Sequence, residues 1–246
     1  MIPKYELQAV INKYYLNGMN EAVKWDIKDK SLNIKFTSPT KEMIGEVTHT
    51  DFTLPDANIG INNTSQLLKL ISITNGDIML SFVRNGKVCS KLIISDNQFT
   101  ANYTLADTLT INKSGAYKGS EDYNLTTSLD KDIILAMIKA KSALDESPTV
   151  MLKPSTSMDG EFELELVFGD DIEYSNKVSY YLANFVKNNV PYDFTLGFNS
   201  DLLKEILVVN KDSDEAKLSI NLEGLMKLEF KAGNTKSIYY IVQKDI

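Results

Sequence analysis

The 246-residue chain sets 26 lysines and arginines against 33 aspartates and glutamates, for a net charge of −7, and is 43% hydrophobic and 24% charged. This is a globular composition, enough for two ordinary domains or one large one, and its acidity argues against nucleic-acid binding unless a basic surface is concentrated locally. A single cysteine, Cys89, excludes an internal disulfide and any multi-cysteine metal site. No apolar run approaches the ~20 residues of a membrane span and the N-terminus lacks a signal-peptide core, so a cytoplasmic protein is expected.

Ile2 to Asn17 reads as a first helix. Leu7, Val10, Ile11 and Tyr14 form its apolar face, Lys4, Gln8 and Lys13 lie away from it, and Asn17-Gly18 ends it. Strand patterns follow at 22–27 and 32–36, with Asp29-Lys30 as a hairpin turn, and a weaker one at 43–54. Asn63 to Asn75 reads as a second helix with Leu67, Leu68 and Ile71 inward and Gln66 and Lys69 outward. Residues 78–83 and 88–95, joined at Asn85-Gly86, form a hairpin, with another strand at 98–105. Residues 112–127, rich in Lys, Ser, Gly, Asp and Asn, read as a linker.

Leu129 to Leu144 is a third helix. Ile133, Ile134, Met137, Ile138 and Leu144 make one side apolar; Lys131, Leu135, Lys139 and Ser142 run three or four apart along a neighbouring stripe, with Lys141 at its edge. Strands follow at 149–153, 161–168, 178–185 and 192–198. Asn199 to Asn210 is a fourth helix, capped by Asn199 or Ser200, with Leu202, Leu203, Ile206 and Leu207 inward and Lys204 and Lys211 two turns apart. A hairpin at 218–230 and an apolar strand at 237–242 close the chain.

The four helices begin near Pro3, Asn63, Leu129 and Asn199, and a run of strands follows each. This is an internal repeat of pattern rather than identity. One helix per repeat cannot cover both faces of a large antiparallel sheet, so an α+β fold with the helices on one face is expected.

Four lysine-bearing helices in a duplicated chain resemble the DNA polymerase sliding clamps, with the T-even-type tailed-phage clamp as the nearest form. The segments that carry the resemblance are ANIGINNTSQLLKLISITNGDIMLSF (57–82), KLIISDNQFTANYTLADTL (91–109) and the closing KLEFKAGNTKSIYYIVQKDI. The resemblance implies two similar clamp-type domains, 1–111 and 128–246, joined by a connector at 112–127, each with two helices on one face of antiparallel sheets. It implies a homotrimer joined head to tail into a ring around double-stranded DNA. Lys13, Lys69, Lys131, Lys139, Lys141, Lys204 and Lys211 are then expected to face phosphate without reading sequence. Glu6, Asp132, Asp201 and Glu205 share the helices and weaken the grip. DNA polymerase and a clamp loader are the implied partners, in the cytoplasm of an infected host cell, and the connector and last strand border a peptide pocket with Tyr117, Tyr123, Ile241 and Val242. No catalytic residue, metal or cofactor is implied.

Several residues have plainer readings. His49, the one histidine, has no acid partner at useful spacing, and Cys89 reads as a small buried residue. Trp25 reads as core or interface. Glu161, Glu163 and Glu165 alternate on one strand face and could in principle serve a carboxylate hydrolase, but a solvated face is the simpler reading. There is no P-loop, dinucleotide fingerprint or zinc spacing. Lysine stripes alone also suit solvated helix faces, and a virion structural or assembly protein is the rival from another class.

Overall fold

The computed structural model describes residues 1–86, 88–112, 114–169, 175–188, 190–191 and 193–244. The chain divides into two compact units. The first comprises Met1–Pro39, Ile44–Ala116 and Gly233–Ser237; the second comprises Thr40–Met43, Tyr117–Ala232 and Ile238–Ile246.

Along the chain come β1 (Ile2–Pro3), α1 (Lys4–Tyr15), β2 (Val23–Lys28), β3 (Ser31–Thr37), β4 (Met43–His49), β5 (Ala57–Ile61), α2 (Thr64–Ser72), β6 (Asp77–Asn85), β7 (Val88–Ser95) and β8 (Thr100–Thr104). Then follow β9 (Leu125–Ser128), α3 (Lys131–Ala143), β10 (Thr149–Thr156), β11 (Phe162–Gly169), β12 (Lys177–Leu182), β13 (Lys187–Asn188), β14 (Leu196–Asn199), α4 (Ser200–Asn210), β15 (Glu215–Asn221), β16 (Leu225–Ala232) and β17 (Thr235–Val242). The fold is α+β, and the strand pairings are antiparallel.

Each helix is preceded by a short strand and followed by a run of longer ones. The short strand does not join the strands that follow its own helix. In the first unit the sheets run β1-β6-β7-β8 and β5-β2-β3-β4, so β1 pairs with β6 and β5 with β2. The second unit repeats the exchange: β14 pairs with β10 in β14-β10-β11-β12, and β9 pairs with β15 in the run β9-β15-β16-β17. Each repeat thus completes its sister's sheet, and neither half of a unit has its full complement of strands alone.

Short-range chemistry sets the element ends. Asn63, Asp130 and Asn199 cap α2, α3 and α4, each side-chain oxygen accepting a first-turn amide at 2.8–3.1 Å. Asp29 and Lys30 both adopt positive φ, the geometry of the tight turn expected between β2 and β3. At the end of α1 the left-handed conformation begins one residue before the expected Asn17-Gly18, at Leu16, whose side chain is completely buried. Burial of a leucine outweighs the roughly 1–2 kcal/mol cost of that backbone region.

The structure departs from the sequence reading at β1 and β5, which were not anticipated, and at β9, which takes Leu125 to Thr127 out of the expected linker and into a sheet. Trp25 is core: it is fully buried and stands edge-on to Phe52 at 6.2 Å. Cys89 is half-buried rather than buried.

Candidate nucleic-acid interface and partner pocket

The helices of each unit lie side by side and run antiparallel, tied at both ends. In the second unit, Lys131 at the start of α3 reaches Asp212, just past the end of α4, at 2.9 Å. At the other end Lys204 on α4 meets Asp145 at 2.7 Å, and Lys141 on α3 meets Asp201 at 3.0 Å. In the first unit the ties go mostly to backbone. Lys4 Nζ donates to the carbonyls of Ser72 and Thr74 at the end of α2, and Glu21, past the end of α1, accepts from the Ser65 amide at 2.9 Å. Lys4 thus meets carbonyls that the end of α2 leaves without intrahelical partners.

The seven lysines of the expected DNA-facing set do not form one class. Lys69, Lys139 and Lys211 are exposed, with no ion pair or side-chain hydrogen bond among the described residues. Lys131 and Lys204 are ion-paired, the first well exposed and the second less so. The hydrogen bond that Lys131 donates to Asp212 raises the Lys131 pKa, the one that Lys204 donates to Asp145 raises the Lys204 pKa, and Lys204 in turn lowers that of Asp145. Lys13 and Lys141 are buried, 4% and 1% exposed. Lys141 Nζ donates to the carbonyls of Leu144, Asp145 and Ser147 and closes the end of α3. Neither can serve as a phosphate ligand on this surface, which corrects the expectation for those two. A lysine at the edge of an apolar stripe, followed by a tight turn, is also what a helix-end cap looks like.

The second feature is a cavity of about 300 Å³ lined by Tyr117, Ser120, Asn221, Gly224, Leu225, Val242 and others. Its floor is aromatic. The Tyr117 ring stacks on Tyr240 at 4.4 Å and 17°, and Tyr117 and Ile238 pack against a buried cluster of Tyr123, Leu225 and Tyr240. The Lys227 ammonium stands 5.7 and 5.5 Å from the Tyr123 and Tyr240 rings and pairs with Glu121 (3.0 Å) and Glu229 (3.3 Å). Tyr240 Oη donates to Glu121 at 3.1 Å. Burial first, and Glu121 second, raises the pKa of both Tyr117 and Tyr123. This network, with the Asn221 side chain donating to the Asp122 carbonyl, holds the segment before β9 against the β15–β16 hairpin.

Of the four residues expected here, Tyr117 and Val242 line the cavity, and Tyr123 lies in the cluster packed against it. Ile241 does not belong: it is fully buried, on the side of β17 that it shares with Ser237 and Tyr239. Side chains alternate across a strand, so the pocket side carries Ile238, Tyr240 and Val242. Sequence reasoning missed Leu225 in the lining and Tyr240 in the cluster beside it, because the apolar run of β17 does not itself say which of its faces is covered.

The rival carboxylates behave as a solvated face. On β11, Leu164 and Leu166 are buried while Glu163 and Glu165 take the other side, and Glu165 accepts from the Tyr181 hydroxyl at 3.3 Å. Among the described residues, no group of three or more His, Cys, Asp or Glu is placed to hold a metal, and no helix is long and apolar enough to cross a membrane.

No protein-family model and no curated protein matches the sequence. Solved structures match it over its whole length. Proliferating Cellular Nuclear Antigen (PCNA) from Entamoeba histolytica aligns with a TM-score of 0.76 at 16% identity, covering 99% of this chain and 96% of that one. A. fulgidus PCNA, solved with the C-terminal region of FEN-1 bound, gives 0.75 at 15% identity, covering 100% and 97%. A chain of the PCNA2–PCNA3 complex from Sulfolobus tokodaii gives 0.72 at 9%, covering 99% and 98%.

The chain has the sliding-clamp fold of PCNA. The α+β expectation, with antiparallel sheets and two helices in each half, holds within that fold. At these identities a sliding-clamp fold is retained while almost every side chain differs, so which lysines and which aromatics serve a site must be read from this chain's own geometry.

Proposed function

We propose that the chain is the subunit of a DNA sliding clamp, a non-catalytic processivity factor that encircles duplex DNA and tethers the replicative DNA polymerase. One observation carries this reading: a full-length match to the PCNA fold in a chain of net charge −7 whose helix pairs nonetheless expose lysines. Lysine is a flexible point charge without the fork geometry that favours bidentate reading of a base, which suits sequence-independent contact with phosphate. Lys69, Lys139 and Lys211, with Lys131 and Lys204, form the DNA-facing set. Loading falls to a separate clamp loader.

The ring is a homotrimer. Strand β8 ends one sheet of the first unit and β12 ends one sheet of the second. Pairing such edges head to tail closes a ring and removes two exposed edges from each subunit. The A. fulgidus PCNA structure holds a partner's C-terminal region. We assign a comparable occupant, a short apolar peptide from polymerase or loader, to the cavity lined by Tyr117, Leu225 and Val242, beside the ring of Tyr240. The narrower likeness to T-even-type phage clamps, and with it action in the cytoplasm of an infected host, rests on the three sequence segments quoted above.

A solution mass tests the assembly. Light scattering at micromolar concentration gives about three times the 27.6 kDa chain mass if this reading is right. A strictly monomeric mass that no clamp loader and DNA can convert to a ring rules it out.

A further inference from the structure

We infer that Asp145 and Asp212 compete internally with DNA phosphate, holding Lys204 and Lys131 in ion pairs that open when DNA arrives and so keeping the grip of α3 and α4 weak enough to slide. This rests on the clamp reading above. The argument begins with where the two aspartates lie. Asp145 is two residues beyond the end of α3 and Asp212 two residues beyond the end of α4. The C-terminal end of a helix carries partial negative charge, so an acid there opposes the macrodipole and is not placed to stabilise the helix.

Nor are the carboxylates needed to close the helix ends. In the first unit Lys4 crosses between the helices to backbone carbonyls, and in the second the buried Lys141, on α3 itself, donates to the carbonyls just past the end of its own helix. The two aspartates are 73% and 69% exposed, and Lys131 is 63% exposed. An ion pair exposed on both sides, such as Lys131–Asp212, contributes little to stability, and in the second pair the aspartate is open to solvent while Lys204 is 22% exposed. Yet both pairs are short, at 2.7 and 2.9 Å, and they occupy matching places: a lysine in the first turns of one helix and an aspartate just past the end of its antiparallel neighbour. Between them lies Lys139, exposed on the same stripe as Lys131 and with no ion pair among the described residues. The α3–α4 surface therefore offers phosphate a standing cation in the middle and a guarded one at each end.

The test separates a guarded lysine from bulk charge. Binding of a fluorescent duplex is followed by anisotropy over a salt series for the wild type, Asp145→Asn, Asp212→Asn, Asp132→Asn, Lys131→Ala and Lys131→Ala/Asp212→Asn. Asp132 is an exposed acid in the first turn of α3 and removes the same charge without releasing a hydrogen-bonded lysine. The structure predicts several-fold tighter binding for Asp145→Asn and for Asp212→Asn. Each should also steepen the dependence of log K on log salt, by no more than the roughly 0.9 of one phosphate contact, because the competition leaves that contact only partly made in the wild type. Asp132→Asn should leave that slope unchanged, and the double variant should bind like Lys131→Ala, because the coupling lies in the pair. An equal gain for Asp132→Asn, or a gain from Asp212→Asn that survives Lys131→Ala, overturns the competitor role while leaving the clamp reading in place. A wild type that binds no duplex even at the lowest salt removes the phosphate contact on which the competition depends and overturns this inference, whereas the clamp reading stands or falls on the mass of the assembly.

Discussion

His49 shows how a single residue can be legible in kind and opaque in place. It is 2% exposed, hydrogen-bonded through Nδ1 to Thr235 at 2.9 Å, with Nε2 3.7 Å from Glu6. Glu6 and Asp51 favour the charged ring, but burial outweighs them and lowers the His49 pKa. The contact with Glu6 is therefore between a carboxylate and a neutral imidazole. The sign for stability follows. The unfolded histidine protonates near pH 6.5, and the folded one only below that, so acidification favours the unfolded chain. Thermal stability should fall as pH is lowered from 7 towards 5, and His49→Gln should flatten that part of the profile in differential scanning. A wild-type profile that rises over the same interval would contradict the assignment. The sequence reading of His49 as structural agrees with its burial, but Glu6, 43 positions away, could not be named as its neighbour before the fold brought α1 and β4 together.

At the scale of elements, Lys141 carries the clearest energetic claim. Its ammonium satisfies three carbonyls at the end of α3 and meets Asp201 at the start of α4. Lys141→Met keeps the stem and removes the donor, leaving half-buried carbonyls without it. The cost should be on the order of 2–3 kcal/mol, allowing for the exposure of Asp201. Urea denaturation should show a lower midpoint at unchanged slope, whereas Lys139→Ala should leave the midpoint within about 0.5 kcal/mol of wild type. Near-equal midpoints for Lys141→Met and wild type would remove the capping role.

The helices themselves were legible because their apolar stripes keep the helical period and because polar caps mark the starts of α2, α3 and α4, while α1 begins at Pro3 without a side-chain cap. The strands exchanged between repeats were less so. β1 has two residues, β9 four and β5 five; they are specified by the partners they pair with rather than by any period of their own. Gly60 in β5 marks a separate close approach, an isolated bridge to Ala106, whose carbonyl a Cβ there would meet at 2.6 Å. For the same reason Ile241 entered the expected pocket and Tyr240 did not: an apolar run such as IYYIV fixes a strand but not which face is covered. The pocket now predicts that Val242→Asp or Leu225→Asp weakens capture of a polymerase-derived apolar peptide at least tenfold by calorimetry. The mass of the assembly should stay unchanged. Full affinity in both variants would place the peptide elsewhere.

At the scale of the molecule, the claim is that an acidic chain holds an acidic polymer by enclosing it. Local lysines supply a shallow attraction. Lys69→Ala, Lys139→Ala and Lys211→Ala should each weaken duplex binding for all sequences alike and reduce the salt slope by about one phosphate's worth, whereas a loss confined to one sequence would point to base reading. Topology supplies the retention that such weak contacts cannot. One subunit carries four described helices, each only ~10 Å wide, too few to line a closed path around a duplex alone. The most direct measurement is therefore retention of the loaded protein on closed circular DNA before and after a single restriction cut, at a salt concentration that abolishes simple phosphate binding. Persistent association with the circle and rapid loss once the ends are free is the result predicted here. Equal retention on circular and linear DNA would contradict it.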